Sequence, residues 1–221
     1  MARTRSMKNV DNTMTHYSKQ RRLNDPTKSF CNDSLVRCYE RYIGESHGNV
    51  FVLDDAGFGS TNAISKQFPF LNIKIAQNDK NEFDKMKSKK IFIIHDDYSA
   101  LDKLVPDGSV VIDNADFCCG WVTVRDTILN RLRSKIYADR AILRLTVSAR
   151  GSKKTMDDFT SDILCELYQA CFDTEYSIKP LTIRQWVPDD AVEEYGFQKE
   201  HMNATSYTYF PSMVTFILLI T

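Results

Sequence analysis

The stretch NVFVLDDAGFGST, residues 49–61, holds the densest chemistry of this 221-residue chain. An apolar run ends on Asp55. Gly57 and Gly59 then let the backbone turn tightly and approach a ligand that a Cβ would exclude. The N–H groups of the next helix face whatever sits in that turn. The spacing D-x-G-x-G-x-T makes Asp55, Gly57, Gly59 and Thr61 candidates for holding a nucleotide-like ligand. Further polar residues fall where later apolar runs end: Gln77, Asn78 and Asp79; Asp96 and Asp97; Asp113 and Asp116. A carboxylate or amide there can bond hydroxyls and amines of a ligand, or simply cap the next helix.

These side chains need a frame. Residues 33–43 read as a short helix with Leu35, Cys38, Tyr39 and Tyr42 on one face. From residue 49 the chain alternates. Strands are expected at 49–55, 72–79, 90–97, 108–116 and 140–149. Between them lie helical segments at 60–68, 80–88, 98–105 and 122–136. A further helix follows at 156–172. The helix at 122–136 carries a stripe of Val124, Ile128, Leu132 and Ile136. The helix at 156–172 carries Met156, Phe159, Ile163, Leu167 and Ala170. Short β-rich runs separated by helices imply an α/β, doubly wound, mostly parallel sheet. After residue 174 the runs at 176–186, 204–210 and 213–220 follow without helices, with a turn at Pro211 and Ser212. They predict an antiparallel C-terminal end to a seven-stranded sheet. In such sheets ligands sit beyond the carboxyl ends of the strands, where the strand order reverses.

The block at residues 49–61 resembles the first motif of class I S-adenosylmethionine-dependent methyltransferases, an apolar strand followed by an acid and D/E-x-G-x-G-x-G. Asp55, Gly57 and Gly59 match, and Thr61 replaces the third glycine. The resemblance implies S-adenosylmethionine as cofactor, with its methionine end on this turn. It implies a ribose contact from the end of the second strand, where Gln77 or Asn78 stands in place of the acid. It implies an adenine contact from Asp96 or Asp97. It places the acceptor beside the fourth strand, where Asp113 or Asp116 would bond an amine or hydroxyl, and Phe117 and Trp121 would either stack on a flat substrate or pack as core. The segment from Asp116 to Trp121 is also similar to one in viral and protist methyltransferase-like proteins. Two other readings stand beside this one. A methyltransferase-like fold that no longer catalyses would serve as a binding or structural module. A nicotinamide oxidoreductase would use G-x-G-x-x-G, but its third glycine is Asn62 here, and no Tyr-x-x-x-Lys pair stands in a supporting context.

Formal charge is zero, so bulk charge selects no partner. Its distribution is uneven. Residues 1–29 hold seven Lys/Arg and two Asp, residues 125–154 nine Lys/Arg and two Asp, and residues 155–200 eleven acids and three bases. The first block reads as a basic flexible arm ahead of a domain spanning 30–221. The basic blocks favour a macromolecular acceptor, nucleic acid slightly ahead of protein. Six cysteines without C-x-x-C spacing and four scattered histidines suggest neither a metal site nor a disulfide framework, and an intracellular protein is expected. The polar start does not read as a secretory signal, and the apolar run 213–220 is too short to span a bilayer, so no membrane role is expected.

Overall fold

Runs of Val, Ile and Leu that are buried on both faces favour central strands of a parallel sheet, and that is where they lie. The structure is a computed structural model that describes residues 26–44, 47–87, 91–149, 152–172, 174–186 and 213–221. Helix α1 (Pro26–Tyr42) leads into β1 (Asn49–Leu53), α2 (Gly59–Gln67), β2 (Asn72–Ala76), α3 (Lys80–Met86) and β3 (Phe92–Ile94). A 3-10 helix (Tyr98–Leu104) precedes β4 (Val110–Gly120), α4 (Trp121–Arg133), β5 (Tyr137–Ser148), α5 (Met156–Phe172), β6 (Ile178–Trp186) and β7 (Met213–Ile220).

One seven-stranded sheet results, in the order β3-β2-β1-β4-β5-β7-β6. Strands β3, β2, β1, β4 and β5 are parallel. Strand β7 inserts antiparallel between β5 and β6. All eight of its residues are buried, as its unbroken apolar sequence requires. The expected strand at 204–210 lies outside the described residues. The chain steps outward from β1 to β3 and then returns to β4, so the order reverses beside the carboxyl end of β1, directly at the glycine turn.

Two cores cover the two faces. Leu35 and Tyr39 of α1, Ile64 of α2, nearby Phe68 and Met86 of α3 pack one face with Val50, Val52 and Ile75. The 3-10 helix, α4 and α5 cover the other through Leu101, Val124, Ile128, Leu132, Ile163 and Leu167. The expected helical stripes are therefore the buried ones. Three of the boundaries that differ from expectation have a visible cause. Helix α1 begins at Pro26, inside the expected arm, because a proline in the first turn lacks only an N–H that the helix does not use. Strand β2 stops at Ala76, since Asp79 caps α3. Strand β4 runs on to Gly120 by pairing with β5 as far as Ser148.

The charge blocks have a structural explanation. Arg125 pairs with Glu166, Lys135 with Glu175 and Lys154 with Asp162, so the basic segment meets the acidic one across the α4, β5 and α5 layer. Arg131 and Arg144 are buried in further ion pairs. Five basic residues of the segment 125–154 thus have acidic partners within the fold.

Arg131 and Asp113 are both fully buried and 2.9 Å apart. The Tyr98 and Tyr137 hydroxyls donate to the same carboxylate at 2.5 and 2.6 Å. Arg131 also donates to the Tyr98 carbonyl, lies 2.5 Å from Asp102, and sits over the Phe51 and Tyr98 rings. Burial and the Asp113 charge push both phenols well above their ordinary range, which keeps them as donors. Removing one partner from such a cluster strands a buried charge. Arg131→Met is expected to cost about 3–5 kcal/mol in urea unfolding, and a loss below about 1 kcal/mol would contradict this role.

Candidate functional site

The turn after β1 is built by two adjacent carboxylates. Asp54 accepts from the Thr61 N–H at 2.8 Å and from the Asp55 N–H at 3.1 Å. Asp55 accepts from the Gly57 N–H at 2.7 Å. The acids therefore brace the turn and the first turn of α2 from within. Burial of Asp54, opposed by the Thr61 N–H, raises its pKa to about 6. The residue in the left-handed region is neither expected glycine but Phe58, with φ 54° and ψ 37°. A bulky side chain there is strained, and its burial in the α1–α2 core holds it in place. The space around Gly59 is open: a Cβ built there meets no atom within 4 Å. The turn thus leaves room beside two carboxylates and a helix N-terminus.

The second strand delivers its polar residues to the same edge, mostly as braces. The Gln77 amide donates to the Asp54 carbonyl at 3.2 Å and accepts from the Asp79 N–H at 2.9 Å. Asn78 is exposed and reaches Asp97 at 3.4 Å. Asp79 caps α3 by accepting from the Glu82 N–H. Glu82, which sequence reasoning missed, turns back and accepts from the Ala56 N–H of the turn at 3.2 Å. It lies one helical turn beyond the expected acid, so only tertiary packing reveals it; Asp54 was missed because Asp55 fits the motif spacing. Asp96 and Asp97 are exposed at the end of β3 near His95, which stacks on Phe83.

At β4 the expected residues part company. Asp113 is fully buried on the α4 side, with its oxygens taken by Tyr98, Tyr137 and Arg131. It cannot touch an acceptor, which corrects its expected role. Alternation along the strand sends Asp116 to the opposite face, under α1 and near the turn. One of its oxygens takes the Arg144 guanidinium at 3.2 Å, and the side chain keeps 11% exposure. Of the two roles open to Trp121, packing as core is the one seen: it is buried at the start of α4, and its ring N–H donates to Glu166. Phe117 is partly buried, edge-on to Tyr98 at 5.5 Å. Among the described residues, no three His, Cys, Asp or Glu side chains gather as a metal site, and no helix is long and apolar enough to cross a membrane.

No protein-family model matches the chain, and no curated protein matches it in sequence. Solved structures do match in fold. P. horikoshii TYW2 in complex with MeSAdo shares 11% identity at a TM-score of 0.54, over 85% of this chain and 61% of that one. The plantazolicin methyltransferase BpumL in complex with SAH shares 11% identity at 0.54, over 92% of this chain and 88% of that one. Geranyl diphosphate C-methyltransferase from Streptomyces coelicolor A3(2), with Mg2+, geranyl diphosphate and S-adenosyl-L-homocysteine, shares 13% identity at 0.54, over 96% and 86%. The chain spans less than two thirds of the P. horikoshii protein's length.

The Asp54 shift has a measurable consequence. Its folded pKa lies above the ordinary 3.8, so the folded state holds the proton more tightly, and ionising Asp54 lowers stability as pH rises from 3.8 to about 6. In pH-dependent unfolding, the difference between the natural chain and Asp54→Asn is expected to move against the natural chain across that window. A difference that stays flat would contradict the enclosure of Asp54.

Proposed function

We propose that this chain, which has the fold of class I S-adenosylmethionine-dependent methyltransferases, binds S-adenosylmethionine at the glycine turn and transfers its methyl group. The observation that carries the reading is the convergence at the strand-order reversal of the open Gly59, the Asp54 and Asp55 carboxylates and the α2 N-terminus. The donor set fits the cofactor's amino-acid end. The helix N-terminus suits a carboxylate, and the two acids suit an ammonium group, whose charge would ease the ionisation of Asp54.

When bound, S-adenosylmethionine supplies a methyl group on a sulfonium centre. The chain's own groups do the rest. Gly57, Gly59 and Thr61 shape the turn. Glu82, bonded to the turn, with Gln77 and Asn78 at the same edge, would take the ribose hydroxyls, and Asp96 or Asp97 would take the adenine amino group. Asp116, held by Arg144, is the carboxylate available to orient an amine or hydroxyl, and Phe117 lies next to it in sequence. Methyl transfer needs alignment above all, which the Asp116–Arg144 pair across β4 and β5 would supply. For the acceptor, a macromolecule remains the reading we favour. Residues 1–25 still carry six Lys/Arg and two Asp, which suits nucleic acid. Five basic residues of 125–154 are paired internally, so nucleic acid leads protein only slightly. A second reading, a module that binds without catalysing, is favoured by Gln77 and Glu82, which both spend hydrogen bonds on the protein itself.

Calorimetric titration with S-adenosylmethionine, and separately with S-adenosylhomocysteine, tests the cofactor. Micromolar binding is expected, weakened at least tenfold, about 1.4 kcal/mol, by Asp55→Ala. Absence of heat from a folded sample with both ligands would sink the reading.

A further inference from the structure

The sheet face beneath α1 changes character toward the carboxyl ends of β4 and β5 and the amino end of the antiparallel β7. Ile142, Ile217 and Leu219 are apolar, whereas Asn114, Arg144, Thr146 and Thr215 farther along are polar and buried. Buried polar groups are normally bonded, and each exception calls for a cause. Thr146 and Thr215 bond each other at 2.9 Å. Arg144 donates to Asn32 of α1 at 2.6 Å and to Asp116 at 3.2 Å. Asn114 differs. Its side chain is fully buried, and neither its Oδ1 nor its Nδ2 meets a partner. Arg144, its register partner on β5, also keeps Nε unpartnered. On its other side Asn114 pairs with Val52 of β1, a position where an apolar side chain would serve the fold without cost.

We propose that Asn114 is a ligand-reading residue on the acceptor side of the site, taking a neutral group that carries a hydrogen-bond donor beside an acceptor, as a carboxamide or lactam does. A carboxamide offers both functions on one plane, and a ligand with only one would leave the other buried and unpaired. The group must be neutral because a charge here would lose its water, while the Arg144 cation is already matched by Asp116. The ligand lies next to Asp116, two residues along the same strand face. Helix α1 roofs the position. Asn32 fastens it by accepting from both Ser60 of α2 and Arg144 of β5, so entry lifts α1 at Asn32. The proposal rests on the methyl-transfer reading only in calling this ligand the acceptor.

Stability and binding test it separately. Thermal unfolding of the full chain should show a midpoint raised by about 2–4 °C in Asn114→Leu, because an unpaired buried amide is replaced by an apolar side chain of similar size. Asn114→Val, which suits a strand, serves if the leucine does not fit. A lower midpoint in both variants would overturn the proposal, since the carboxamide would then belong to the fold. In the natural chain with S-adenosylhomocysteine present, the Asn114 side-chain amide resonance is followed with benzamide, acetophenone and benzoate. Benzamide is expected to shift it and the other two to leave it in place. No shift with benzamide while S-adenosylhomocysteine binds overturns the proposal alone. Failure of S-adenosylhomocysteine to bind overturns the methyl-transfer reading, and the unfolding midpoints then decide the fate of Asn114.

Discussion

A carboxylate buried in the middle of a strand holds this molecule together. Asp113 lies in β4, the strand that joins the two halves of the sheet, and its oxygens receive hydrogen bonds from three other elements. Tyr98 brings in the 3-10 helix, Arg131 brings in α4 and Tyr137 brings in β5. Such a cluster is costly to desolvate and strongly destabilising to break, so it fixes one arrangement of its parts more than it adds net stability. Arg131 also sits over Phe51 of β1, so the cluster fixes the strand that leads into the glycine turn. With β1, β4 and α4 so fixed, the turn and the end of β4 are held side by side at one edge of the sheet.

The same strand supplies the opposite face. Alternation puts Asp113 toward α4 and Asn114 toward α1, with Asp116 following Asn114. On the α4 side both Asp113 oxygens are taken; the α1 side contains an ion pair, a fastening contact and an unpaired carboxamide. One strand thus carries the fold-holding cluster on one face and the proposed ligand contacts on the other.

Much of this was legible in the sequence. The apolar runs NVFVL and MVTFILLI and the stripes on α4 and α5 have a single sensible burial, and the structure follows them. The strand order reversal lies at the glycine turn, as alternation and spacing implied. What could not be read depends on which face a residue takes and what arrives from afar. Asp113 and Asp116 look alike in sequence, yet a three-residue offset puts them on opposite faces. Trp121 looks available until Glu166, 45 residues away, takes its N–H. Phe58 takes the left-handed turn expected of glycine because the core beneath it repays the strain. Glu82 joins the turn only because α3 folds back over it. Arg125, Lys135 and Lys154 of the basic block find their partners in the acidic block that follows, a pairing that neither block shows alone.

Hydrogen exchange followed by mass spectrometry, with and without S-adenosylhomocysteine, is the most direct measure of whether the turn is the cofactor site. Binding there predicts slowed exchange in peptides covering residues 55–62 and 77–83, with α5 and β6 unchanged. Unchanged exchange at 55–62, or protection confined to α5 and β6, would contradict it.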